Sequence, residues 1–210
     1  MDVTIIALDN HDFLLLFFIT SMMIYIVKYF IFEKRQRRRY WIYPVFVFYL
    51  LALIDYTMLP IFIYGKKELT EFYGSVARQS WKNYSQLIPF SSICEYLTEG
   101  NIYQIAGNII MLMPMSCFLY LLIDGISVKK IILYGSMISL GIELIQFCID
   151  LLTGYANRVC DIDDFILNSV GVIIAAGIIG VFRKVEKFHK IYYNLVYKKS
   201  NNKEIATERE

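Results

Sequence analysis

Several residue types are scarce in this chain, and each scarcity excludes something. There are two histidines, His11 and His189, and four cysteines, Cys94, Cys117, Cys148 and Cys160. None forms a Cys-x-x-Cys pair or a metal-ligand spacing with a histidine, so a zinc site is not expected. No internal repeat or low-complexity tract is present, which excludes a solenoid. No Ser, Cys or His stands in an evident nucleophile arrangement. A cleavable signal peptide would need positive charge before its apolar core, whereas residues 1–12 carry Asp2, Asp9 and Asp12 and no Lys or Arg.

What the chain has in excess is apolar surface. Its 210 residues are 57% hydrophobic with a mean hydropathy of +0.48, against about 45–50% apolar in soluble domains. We therefore expect an all-α, polytopic integral membrane helix bundle in the cytoplasmic membrane. The expected spans are residues 13–32, 43–64, 103–123, 131–152 and 163–182. The basic run 34–39 lies between the first two and sets orientation, with Tyr40 and Trp41 as an interfacial anchor. The chain then divides into a first helix and basic loop (1–40), a four-helix membrane domain with an extracellular loop at 65–102 (41–182), and a basic cytoplasmic tail (183–210).

Alternating five spans from an external N-terminus puts all but five of the 21 Lys and Arg in the cytoplasm. The five outside are Lys66, Lys67, Arg78, Lys82 and Arg158. The run 34–39 is too confined to dock on nucleic acid, and anionic lipid headgroups suit it better. Loop 65–102 is long and mixed in character, so it should fold back on the membrane surface, partly as short interfacial helices.

Polar residues inside the apolar runs mark a candidate ligand-binding site. Asp161, Asp164, Asn168 and Gly171 recur along one helical stripe behind Arg158, with Asp163 off that stripe. Ser139, Glu143, Gln146 and Asp150 form a second stripe. Gln104 and Asn108 open the third span, where Pro114 should kink the helix and Gly107 should allow close backbone approach. On the five-span topology the three groups meet at one depth, as a polar pocket open to the exterior and roofed by loop 65–102. The carboxylates also read as helix caps, above all Asp163, and Asn108 as a helix-packing hydrogen bond. An ionised Glu143 calls for a partner such as Arg158, and an unpaired one would be protonated. Asp55, inside the second span, is read as a hydrogen bond to a neighbouring helix. Cys117 and Cys148 read as small core residues, and a disulfide between Cys94 and Cys160 stays open.

These blocks, in this order, resemble those of the VanZ-like family: 87–90 (Leu-Ile-Pro-Phe), Gly107-Asn108 with Pro114, Ser139 with Glu143 and Gln146, and Arg158 with Asp161, Asp163, Asp164, Asn168 and Gly171. The resemblance spans about residues 45–182. It implies an accessory factor that lowers susceptibility to glycopeptides such as teicoplanin, and it brings no established catalytic residues. The expected partners are membrane lipids, a lipid-linked envelope precursor or a lipoglycopeptide. No cofactor is required. Two alternatives stand beside it. One is a metal-assisted enzyme acting on lipid-linked precursors, with Glu143, Asp161 and Asp164 as oxygen ligands and Arg158 on phosphate. The other is a component of a lipid transporter or membrane complex, oligomeric if it needs symmetry.

Overall fold

The computed structural model describes residues 3–31, 42–65, 67, 69, 71, 81–185 and 188. The basic run 34–39, Tyr40 and Trp41, most of 66–80 and nearly all of the tail beyond 185 lie outside the described residues.

Helix α1 (Asn10–Ile31) starts where Asp9 Oδ1 accepts the backbone N–H of Asp12 (2.8 Å), an N-cap that satisfies an otherwise orphaned donor. Helix α2 (Ile42–Met58) stops well short of Tyr64, where the sequence places the end of the second span. Pro60 accounts for this, because proline excludes the helical conformation from the residue before it. Ile61–Tyr64 instead forms a strand, β2, antiparallel to β1 (Val3–Ile6), with Val3 opposite Tyr64 and Ile6 opposite Ile61. The N-terminus is thereby tied to the far end of α2.

A 3-10 turn (Trp81–Tyr84) and the short β3 (Ser85–Gln86) lead into helix α3 (Ser91–Thr98). Over residues 81–98 the long loop is thus folded into short elements, as expected. The third apolar run is broken into α4 (Ile102–Met111) and α5 (Met113–Leu122), with the break at Leu112 and Pro114 in the first turn of α5. This is the kink that proline predicts. The phenol of Tyr49 on α2 donates to the Met111 carbonyl beside the break (3.0 Å).

Helix α6 (Val128–Thr153) is capped by Ser127, whose Oγ accepts from the Lys130 N–H, and ends on Gly154 in the left-handed region (φ 66°). Strand β4 (Cys160–Asp161) pairs in parallel with β3, and helix α7 (Ile162–Phe182) follows directly. The chain is mostly helical. Among the described residues four segments are long and apolar enough to cross a membrane: residues 10–27 of α1, α4 with α5, α6 and α7. Helix α2 is apolar but shorter, at 17 residues or roughly 26 Å.

One core cluster joins Leu53, Met58, Leu112, Met115, Ile142 and Val172, and a second joins Ile126, Ile131, Ala176 and Ile179. Glycine sets how closely the helices approach. A Cβ on Gly171 would lie 1.8 Å from the Ile109 carbonyl oxygen, and one on Gly135 would lie 2.5 Å from Val172 Cγ1. The close backbone approach expected at Gly107 is therefore made at Gly171, while Gly107 faces the Tyr56 hydroxyl.

All four cysteines are free, so Cys94 and Cys160 do not pair. Cys117 and Cys148 are exposed on their helices and are not core residues. Asp55 is also exposed, one turn from the end of α2, and is not turned toward a neighbouring helix. The strands, α3 and residues 154–161 gather at one end of the bundle. Phe62 N–H donates to Asn157 Oδ1 (2.6 Å), and the Tyr64 and Tyr155 rings lie 4.5 Å apart. At the other end Arg183 donates to the Ile126 carbonyl (2.8 Å) and lies over the Tyr120 ring.

Candidate functional site

The polar stripe of α6 is buried as its spacing requires: Ser139, Glu143, Gln146 and Asp150 are all under 10% exposed. Glu143, Gln146 and Asp150 each have a different task. Asp150 Oδ1 accepts the backbone N–H groups of Asn157 (2.8 Å) and Arg158 (3.3 Å), which folds the loop after α6 back over its own end. Gln146 donates to the Thr57 carbonyl in the last turn of α2 (2.8 Å). Glu143 Oε2 accepts the Asp161 N–H (2.9 Å), fixing the start of α7 against α6.

The aspartates at the start of α7 divide the work in the same way. Asp161 is the N-cap of its own helix, accepting from Asp163 N–H (2.8 Å) with Oδ1 and from the Ser92 hydroxyl with Oδ2. Asp163 is fully buried and turned away from the stripe. Its carboxylate caps a different helix, accepting the backbone N–H groups of Phe90 (2.6 Å), Ser92 (2.9 Å) and Ile93 (3.2 Å) at the start of α3. Three donors on one carboxylate at a helix N-terminus form a strong, charge-assisted cap. It also holds Phe90 in the left-handed region (φ 67°). Asp164 accepts from the Asn108 amide, joining α7 to α4.

These contacts enclose one cavity of about 350 Å³. Of the eight residues chosen from the sequence, Asn108, Glu143, Gln146, Arg158, Asp161, Asp164 and Asn168 line it. Ser139 does not; it is fully buried with no partner for its hydroxyl. Arg158 is exposed at the rim and donates to the Leu59 carbonyl (3.0 Å). The structure thus gives Glu143 the Asp161 N–H and Arg158 a backbone carbonyl, where the sequence would pair the two.

Sequence reasoning missed Tyr56, Thr57, Tyr96 and Asn157 in the lining. With 17 tyrosines in the chain, no pattern singles out two of them. Tyr96 on α3 roofs the carboxylates, and its phenol is pushed up to about 12, by burial first and then by Asp164 and Asp161. It therefore stays a neutral hydrogen-bond donor. Burial, with Glu143, Asp161 and Asp150 nearby, likewise pushes the Cys160 thiol up to about 11.

Among the described residues no group of three or more His, Cys, Asp or Glu is placed to hold a metal ion. Both oxygens of Asp161 are engaged, by the Ser92 hydroxyl and by the backbone of Asp163.

Comparison with curated proteins and with solved structures found no match to either. The model of the VanZ/LLP1 family matches residues 46–183, from within α2 to the end of α7 and so across every element that lines the cavity, and the chain belongs to that family.

Proposed function

We propose that the protein is a multi-pass accessory factor of the cytoplasmic membrane that lowers susceptibility to glycopeptide and lipoglycopeptide antibiotics of the teicoplanin type. In this reading the cavity opens at the external face and binds a lipid-linked headgroup or an amphiphile. Family membership supports the drug class, because a role in glycopeptide resistance attaches to the family. The observation that carries the reading is the convergence of carboxylate and amide side chains from α4, α6 and α7 on one cavity, since polar groups at such depth are retained for function.

The volume restricts the occupant. At about 350 Å³ the cavity is near the lower end of ligand pockets, roughly 300–1,000 Å³. It suits a headgroup and is too small for a whole glycopeptide, so the protein acts on what the drug meets at the membrane. Charge distribution supports the orientation. Lys129, Lys130 and Arg183 fall toward the end away from the cavity, the pattern of a cytoplasmic face.

The test is teicoplanin susceptibility in cells expressing wild type, Glu143→Gln, Asp164→Asn or Arg158→Ala at matched membrane levels. Loss of protection in the carboxylate variants is expected. Equal protection by all four would remove the cavity from the mechanism.

A further inference from the structure

Asn168 is 1% exposed and lines the cavity, yet neither its Oδ1 nor its Nδ2 has a hydrogen-bond partner. A buried amide left unpaired on both atoms is costly, so its retention at the wall of a cavity points to something that enters and bonds to it. Its surroundings say what that is. Gly135 packs against Val172 between the antiparallel helices α6 and α7. One turn nearer the strands, Ser139 therefore comes level with Asn168, and a further turn brings Glu143 level with Asp164. Each of these two carboxylates has one oxygen engaged, Glu143 Oε2 with Asp161 N–H and Asp164 Oδ1 with Asn108. The second oxygen of each is left to the cavity, whose one cation among the described residues, Arg158, sits at the exposed rim.

Resting on the accessory-factor reading of this cavity, we propose that its floor is a receptor for a primary ammonium group. Such a group offers three N–H donors and one positive charge. Glu143 Oε1, Asp164 Oδ2 and Asn168 Oδ1 supply three acceptors, two of them carboxylate oxygens. A phosphate or carboxylate would bring further acceptor oxygens to the same place and no positive charge. A quaternary ammonium has the charge but no N–H, so it would leave Asn168 unpaired. The ammonium belongs either to an aminolipid or other amphiphile at the membrane surface or to a free amine.

The experiment measures binding to the full-length protein in nanodiscs of phosphatidylcholine, a lipid without a primary amine, against empty discs. The probes are hexylammonium, hexyltrimethylammonium and ethanolamine. Hexylammonium is expected to bind about 10-fold more tightly than its trimethyl analogue, and Asn168→Leu and Glu143→Gln to lose about 10-fold in that affinity. Without ligand, Asn168→Leu is expected to melt at or above the wild-type temperature, because it removes an unpaired amide, so its binding defect is not a folding defect. Ethanolamine binding as well as hexylammonium would assign the site to free amines, and hexylammonium binding alone would assign it to amphiphiles. Equal affinity for primary and quaternary ammonium, no binding of either, or unchanged binding in Asn168→Leu would overturn the proposal. If those results came while teicoplanin susceptibility still depended on Glu143, the ammonium assignment would fall and the accessory-factor reading would stand.

Discussion

The helical pair α1–α2 and the pair α6–α7 are built from similarly apolar sequence and are held by different means. Within α1, none of the span 10–27 is buried by the rest of the protein. Its contact with α2 is aromatic, Phe13 and Phe17 meeting Phe48 edge-on at 5.4 and 5.8 Å, and Leu15, Phe18 and Met22 project outward. The second pair closes on glycine, with Gly135 beneath Val172, while Gly171 seats α7 against the Ile109 carbonyl of α4, and the pair carries buried carboxylates and amides between its helices. Apolar side chains gain little by leaving lipid for protein, so close packing and hydrogen bonds, not hydrophobicity, hold membrane helices together. Helices that bury polar side chains must fit closely, while a helix facing lipid need only be apolar.

The comparison breaks most severely at Gly171. Alanine there would gain about 1 kcal/mol of helix propensity, but its Cβ would fall 1.8 Å from a backbone oxygen that no rotamer change can move. We expect Gly171→Ala to destabilise by about 3 kcal/mol, read as a large fall in melting temperature and yield in detergent. A variant as stable as wild type would show that α4 and α7 do not meet at this position.

Next in size is Asp163→Ala, which strands three backbone N–H groups at the start of α3. A loss of about 2 kcal/mol is expected, local to residues 85–98. Hydrogen exchange should rise across α3 and stay unchanged in α1. Uniform exchange throughout would mean that α3 is not an independently held element.

A smaller effect sharpens the comparison through the thiols. Cys94 is exposed, whereas Cys160 is half-buried with its thiol pushed up to about 11. Because the thiolate is the reactive form, at pH 9 only about one Cys160 in a hundred is ionised, and its labelling should rise roughly tenfold per pH unit toward pH 11. A membrane-impermeant maleimide should modify Cys94 first, from outside intact cells. Labelling of Cys94 only after lysis would reverse the proposed orientation.

The smallest effect is expected on α1. Phe18 is 65% exposed, and Phe18→Leu should change stability by less than about 0.5 kcal/mol. A larger loss would mean that α1 packs against more than lipid.

Much of the site was readable along the chain because helical periodicity is local. The spacing of Ser139, Glu143, Gln146 and Asp150 puts them on one face whatever that face meets, and burial of all four follows from the cost of turning them to lipid. The proline break in the third apolar run was legible for the same reason. The end of the second span was misread because its apolar run continues through Ile61–Tyr64. There Pro60 overrides hydropathy, and the unpaired strand finds Val3–Ile6. The pairing of Glu143 with Arg158 failed because charge complementarity does not know that a backbone N–H at 2.9 Å and the Leu59 carbonyl at 3.0 Å are nearer to hand.

By itself, then, the sequence determined that this is a membrane-type helical chain, which faces of its last helices are polar, and which family it resembles, because composition, period and motif order are properties of the chain alone. Only the tertiary structure decided that Asp163 caps α3 and leaves the cavity, that Tyr96 roofs the carboxylates, that Ser139 sits outside the lining, and that the Asn168 amide stands unpaired. Those outcomes depend on how far apart two helices come to rest, and that separation is fixed where Gly171 lets α7 touch the backbone of α4.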